Sequence, residues 1–201
     1  MKGKFITVEG VDGAGKSSFL PWIEQRLRAA GRDVICTREP GGTSVGEQLR
    51  QMLLHGQASP VTEVLLMFAA RREHIERVIR PALDGGRWVL CDRFTDATYA
   101  YQGAGRGIPL RHITALEDWI QDGLQPDLTI LFDLPVEIAR SRSAGAREPD
   151  RFESEQIDFF VRVRGGYLER ARSSPGRFSI IDASKSMADV EVQLAAIEAL
   201  Q

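Results

Sequence analysis

The sequence predicts an α/β protein in which a five-stranded parallel sheet is covered by helices on both faces, and three observations lead there. Five runs rich in β-branched and apolar residues, each of strand length, recur along the chain: "KFITVE" (4–9), "DVICT" (33–37), "RWVLCD" (87–92), "DLTILFDL" (127–134) and "RFSIID" (177–182). Segments with helical spacing of apolar residues separate them, and strands that alternate with helices pair in parallel. The third observation is "GVDGAGKSS" (10–18), which follows the first strand and opens a helix. Ligands of such a sheet gather at the C-terminal ends of its strands, where this loop lies.

Taken in order, the first strand enters the loop and the helix that begins behind it. Pro21 comes early in that helix, where it bends the chain but leaves the first turn intact. Gly31, "PGG" (40–42), "DGG" (84–86) and "GAGRGIP" (103–109) read as turns. One long apolar helix is expected from about 60 to 83, containing "VTEVLLMFAARREHIERVI". The charged stretch "ARSRSAGAREPDRFESE" (139–155) reads as a loop between helical pieces, by default a solvated connection. In the last helix Met187, Val190, Leu194 and Ile197 fall on one face.

At 201 residues the chain fits a single domain, 1–201, with 43% hydrophobic and 27% charged residues. The 26 basic and 28 acidic residues leave a formal charge of -2, so no global positive field recruits a nucleic acid polymer or an anionic membrane. No apolar run reaches membrane-span length, and the N-terminus lacks the apolar core of a signal peptide, so a cytoplasmic location is expected. Cys36 and Cys91 end short apolar runs and are expected as small buried thiols. His55, His74 and His112 are scattered, which suits surface or core histidines better than a metal site or a triad base.

From Gly10 the loop reads Gly, four residues, then Gly15, Lys16 and Ser17, the spacing that wraps a nucleotide's phosphates. The fold class is therefore the three-layer sandwich of the P-loop NTPases. Gly10, Gly13 and Gly15 let the backbone approach phosphate oxygens, with Val11, Asp12, Ala14 and Ser18 completing the ATP-binding turn. Lys16 adds a mobile positive charge and Ser17 a hydroxyl for Mg2+. The metal also needs a strand-end carboxylate, and Asp92 supplies one, directly or through water. Alone, Asp92 beside Arg93 fits a structural ion pair equally well; the phosphate loop favours the metal. The chain contains no asparagine, so the asparagine-lysine-x-aspartate motif with which guanine-specific switches typically read the base is missing, and the GTPase reading falls sharply. An ATP-dependent enzyme of small substrates, or an ATPase that moves something, remains.

"TREPGGT" (37–43), "MFAARREH" (67–74) and "CDRFTDATYAYQGAGRG" (91–107) resemble, in order and spacing, signatures of the thymidylate kinase family. With the phosphate loop and "DRFE" (150–153), the resemblance runs from about residue 5 to 182. It implies phosphoryl transfer from Mg-ATP to dTMP, giving dTDP and ADP, in a homodimer whose interface could involve the 60–83 helix. Helical periodicity allows that face to be core as well.

The resemblance also assigns residues. Phe68 would stack on thymine, although its spacing fits core packing equally; Arg71 would donate to a base carbonyl, and Thr98 and Gln102 would lie along the base edge. Arg38 and Arg93 would hold the dTMP phosphate. Tyr101 would close the sugar pocket and crowd a 2′-hydroxyl, with Asp12 near the 3′-hydroxyl. One branch of the family has an arginine directly after that acidic residue; here Gly13 follows, which implies the bacterial type with its catalytic arginine in a lid at about 139–155. Arg147 is favoured for that role, Arg142 is the alternative, and Arg151 is assigned a supporting or salt-bridged part. Backbone groups around Ala183, in "IIDASKS", would read the adenine, although a plain strand-to-helix turn also fits there. Rival readings are a kinase of another nucleotide on the same scaffold and a nonenzymatic ATP-binding module.

Overall fold

The strands fall where the apolar runs predict, within a residue or so at each end. The computed structural model describes residues 3–143, 151–152 and 155–201. Its strands are β1 (Phe5–Glu9), β2 (Val34–Arg38), β3 (Trp88–Asp92), β4 (Leu128–Asp133) and β5 (Phe178–Asp182). All pair in parallel in the order β2-β3-β1-β4-β5, with Val8 opposite both Asp92 and Ile130. The chain leaves β1 toward one edge and later crosses to the other, so the crevice between diverging connections opens above the C-terminal end of β1.

Every residue of β1 is buried, and alternate side chains serve opposite layers. Ile6 and Val8 pack with Phe19, Ile23 and Leu27 of α1 (Lys16–Ala29); Phe5 packs with Val89, Cys91, Ile75 and Ile79. Cys91 is buried as expected. Cys36 is not: β2 is the sheet edge, and its outward residues, Cys36 among them, face solvent.

The expected helix from 60 to 83 is divided. After α2 (Ser44–His55), α3 (Pro60–His74) passes into a π turn over Ile75–Ile79 and then α4 (Arg80–Asp84). Pro81 explains the division: its ring excludes the ordinary i-4 carbonyl, and a widened turn just before it relieves the clash. Ser59 caps α3 by accepting from the Thr62 N–H.

A second difference lies at "GAGRGIP". After α5 (Thr95–Thr98), a π turn continues through Tyr99–Gly105 before α6 (Leu110–Gln121), so the glycines at 103 and 105 are helical. They serve close approach: a Cβ on Gly105 would stand 2.6 Å from the Phe159 ring, and one on Gly103 2.8 Å from Leu110. Phe159 belongs to α8 (Ile157–Ser173), which packs along this segment. The stretch 139–155 also begins as helix, since α7 runs Val136–Ser143. In α9 (Met187–Ala195), Val190 and Leu194 are buried, but Met187 is exposed and Ile197 lies beyond the helix. Among the described residues no helix is long and apolar enough to cross a membrane.

Candidate functional site

Above β1 lies a cavity of about 860 Å³ lined by residues from both ends of the chain. The phosphate loop forms one wall. Gly13 and Gly15 have φ of 80° and 89°, in the left-handed region, and α1 begins at Lys16. A Cβ on Gly13 would lie 2.1 Å from the Ala139 carbonyl oxygen, so only glycine fits between loop and α7. Asp12, Gly13, Ala14, Gly15, Lys16, Ser17 and Ser18 line the cavity. Gly10 and Val11 stand behind them, and their carbonyls accept from Lys16 Nζ at 2.9 and 3.1 Å. Burial, with the charge of Arg93, brings the Lys16 ammonium down to about 8 against the pull of Asp12, Asp92 and Glu9.

Arg93 joins the two halves of the cavity. Its φ of 69° is strained for a residue with a side chain, a conformation held by the surrounding contacts. It donates to Asp12 Oδ1 at 2.7 Å, to Tyr167 Oη at 2.9 Å and to Tyr101 Oη at 3.1 Å, while Tyr101 donates to Asp12 Oδ2 at 2.7 Å. Burial would raise the Asp12 carboxyl, but Arg93, Lys16 and the Tyr101 hydroxyl outweigh it and hold it at about 2. Beneath them, buried Glu9 accepts from Tyr167 Oη and from the Phe94 N–H. Burial above all, then the charge of Asp96, pushes Glu9 up to about 8.

Asp92 Oδ1 is buried and makes no hydrogen bond, and Asp92 and Ser17 line the same cavity. An orphaned carboxylate oxygen on a residue that shares a cavity with the Ser17 hydroxyl suits Mg2+, which takes one or two protein oxygens and completes its shell with phosphates and water.

The far wall is made of side chains from β2, α3, α5 and the π turn after it. Arg71, 2% exposed, donates from Nε to Glu39 and from Nη2 to Thr98 Oγ1 at 3.0 Å. Its Nη1 is buried without a partner. Thr98, Tyr101 and Gln102 line the cavity, and Gln102 donates to buried Glu63 at 2.6 Å. Arg38 lines it too, paired with Glu47 at 2.9 Å.

Phe68 is not part of this wall. It is 1% exposed and packs with Val64, Tyr99 and Ile113, its ring lying under the Arg71 guanidinium at 4.7 Å. Met67 lines the cavity instead. Phe68 and Arg71, three residues apart on α3, are in packing contact. A stripe of Glu63, Met67, Arg71 and His74, spaced by four, four and three through an apolar helix, was the signal available in the sequence. Arg50, which lines the cavity and donates to the Pro40 carbonyl at 2.9 Å, had no comparable signal.

Of the arginines expected in a lid, Arg147 lies outside the described residues. Arg151 pairs with Glu63 and donates to the Ala58 carbonyl at 3.1 Å, which fastens it to the start of α3. Arg142 lines the cavity and donates to the Ala183 carbonyl at 2.7 Å. The Ala183 N–H is bonded to the Asp133 carbonyl, so both polar backbone groups of Ala183 are already engaged. Its neighbours Lys185 and Ser186 share the lining.

Comparison with known proteins adds three findings. The sequence pattern of the family described as thymidylate kinase matches residues 8–194. The chain is 61% identical over 196 residues to a thymidylate kinase of Cupriavidus necator, covering 96% of this chain and 97% of that one, and 57% identical over 198 residues to one of Ralstonia nicotianae, covering 96% and 97%. A crystal structure of a thymidylate kinase from Ehrlichia chaffeensis superposes with a TM-score of 0.79 at 34% identity, covering the whole of both chains.

Proposed function

Because the chain belongs to the thymidylate kinase family and so transfers a phosphoryl group from ATP to dTMP, a step in dTTP synthesis, we propose how its cavity divides that work. The observation behind the division is that two partnerless buried atoms, Asp92 Oδ1 and Arg71 Nη1, belong to residues lining the same cavity as the phosphate loop. One asks for a cation, the other for an acceptor.

At the donor end, the amides of residues 13–18 and Lys16 hold the ATP phosphates, with Gly10 and Val11 shaping the turn. Ser17 and Asp92 hold Mg2+, directly or through water; when bound, it neutralises charge on the phosphate oxygens. The adenine lies against the loop after β5, near Ala183 and Arg142.

At the acceptor end, Arg71 Nη1 donates to a carbonyl of the base and Met67 supplies the apolar surface beneath it, the part first assigned to Phe68. Thr98 and Gln102 lie along the base edge, and Tyr101 and Asp12 border the sugar. Arg93 and Arg38, with Arg50, fix the 5′-phosphate. One of its oxygens attacks the γ-phosphorus; the new P–O bond forms as the bond to the β-phosphate oxygen breaks, and ADP leaves. The nucleophile is already anionic, so a general base is not required. Arg147 from the lid, or Arg142, meets the charge spread over the moving group, and Arg151 steadies the lid through Glu63. The whole chain acts as one nucleoside monophosphate kinase domain in the cytoplasm, as a homodimer through α3, where Val61 and Leu65 are exposed.

ADP formation by the purified protein with Mg-ATP, compared across dTMP, dUMP, dCMP, dGMP and no acceptor, tests the reading. Strong dependence on dTMP is expected, with dUMP weaker by about 10- to 200-fold, the worth of one methyl group in a pocket. ATP turnover equally fast without acceptor would remove both the pocket and the lid from their roles.

A further inference from the structure

We propose that Glu39, His74 and Thr37 are positioning residues that aim the unpartnered Nη1 of Arg71 at the base, and through it set the preference for a carbonyl over an amino group. The proposal rests on the acceptor assignment above. Glu39 directly follows β2 and is buried; His74, at the end of α3, is wholly buried. Glu39 Oε2 accepts from Arg71 Nε at 2.8 Å, and Oε1 accepts from His74 Nδ1 at 2.9 Å. His74 Nε2 in turn lies 2.6 Å from Thr37 Oγ1. Each carboxylate oxygen therefore has one partner, and the imidazole fixes the rotation that the arginine needs.

The guanidinium is held on its remaining sides as well. Its faces lie over the Phe68 and Phe94 rings, at 4.7 and 5.1 Å, and Thr98 takes Nη2. With Nε and Nη2 anchored in plane and the faces covered, the group cannot turn, and Nη1 is left as the unpartnered nitrogen of a residue that lines the cavity. A guanidinium donates only, so an amino group offered at that point leaves two donors facing each other in a buried site. A carbonyl satisfies both.

The tight turn after β2 fits the same device. Gly42 has φ of 79°, and a Cβ there would stand 2.6 Å from His74 Nε2 and 2.7 Å from Thr37 Oγ1. The second glycine of "PGG" leaves room for the His74–Thr37 contact.

The test is the ratio of kcat/KM for dTMP to that for dCMP, measured with KM for ATP and the melting temperature. Glu39→Gln and His74→Phe should lower the ratio about tenfold or more, the worth of one charge-assisted hydrogen bond, through KM for dTMP. KM for ATP should stay within about twofold, because ATP does not touch Arg71. His74→Asn keeps a donor in the Nδ1 position and should restore most of the ratio. Thr37→Val, at the outer end of the chain of contacts, should lower it by about two- to threefold, and decides the matter if the buried variants do not fold. A wild-type preference for dTMP together with an unchanged ratio in folded variants would overturn the proposal and leave the acceptor assignment standing. No wild-type preference would overturn both.

Discussion

The two ends of the cavity are built from different materials. The donor end is backbone: a run of nine consecutive residues, 10–18, with glycines at positive φ and a helix start behind them. The acceptor end is side chain: Arg38, Met67, Arg71, Thr98 and Gln102 come from β2, α3, α5 and the π turn after it, and meet only because the sheet and helices bring them together. A backbone site is as good as its local conformation. A side-chain site is as good as its neighbours, which is why Arg71 needs Glu39, Thr98 and two rings to present Nη1.

The contrast can be broken most directly at Phe68. As a core residue wedged behind the acceptor wall, its replacement by alanine should cost about 3–5 kcal/mol of stability, read from denaturant melts. An unchanged melt with weakened dTMP binding would return the ring to the base and erase the distinction between wall and backing. The donor end is tested by Lys16→Ala, expected to lower kcat about 100- to 1000-fold, the usual cost of losing one aimed charge at a transferring group. A loss below tenfold in steady-state ADP formation would mean the backbone amides suffice. Met67→Ala sharpens the acceptor side: KM for dTMP should rise about tenfold as apolar contact is lost, with little change in KM for ATP. Equal changes in both constants would place Met67 in the general packing.

A test by pH concerns Glu9, which is joined to Arg93 through Tyr167. Its carboxyl titrates at about 8 in the folded protein against 4.5 as its ordinary value, so the folded state holds the proton more tightly. Its contribution to stability is present in full below pH 4.5 and is lost as pH rises through 8. Relative to Glu9→Gln, the wild-type protein should therefore lose stability across this window, by at most about 1.4 kcal/mol per pH unit. A constant difference between the two proteins would detach Glu9 from the electrostatics of the site.

The strands and the phosphate loop were legible because their signals are local. An apolar run of five or six residues makes a strand wherever it is covered, and Gly10, Gly15, Lys16 and Ser17 have to be neighbours to do their work. Helix ends were less so: the π turn before Pro81 and the helical glycines at 103 and 105 depend on what packs against them. Cys36 looked like Cys91 in sequence, and only the strand order put one at the edge and the other in the core.

By itself, the sequence determined the α/β architecture, the place of the glycine-rich loop and, through its resemblance, the family. The tertiary structure decided which neighbour on α3 faces the cavity, Met67 rather than Phe68, and gave His74 a place beside Glu39. The reason is one of rotation: a helix turns by about 100° per residue, so adjacent side chains face different surroundings. Which face meets the cavity is set by packing against α6 and the π turn after α5, elements far away in the chain.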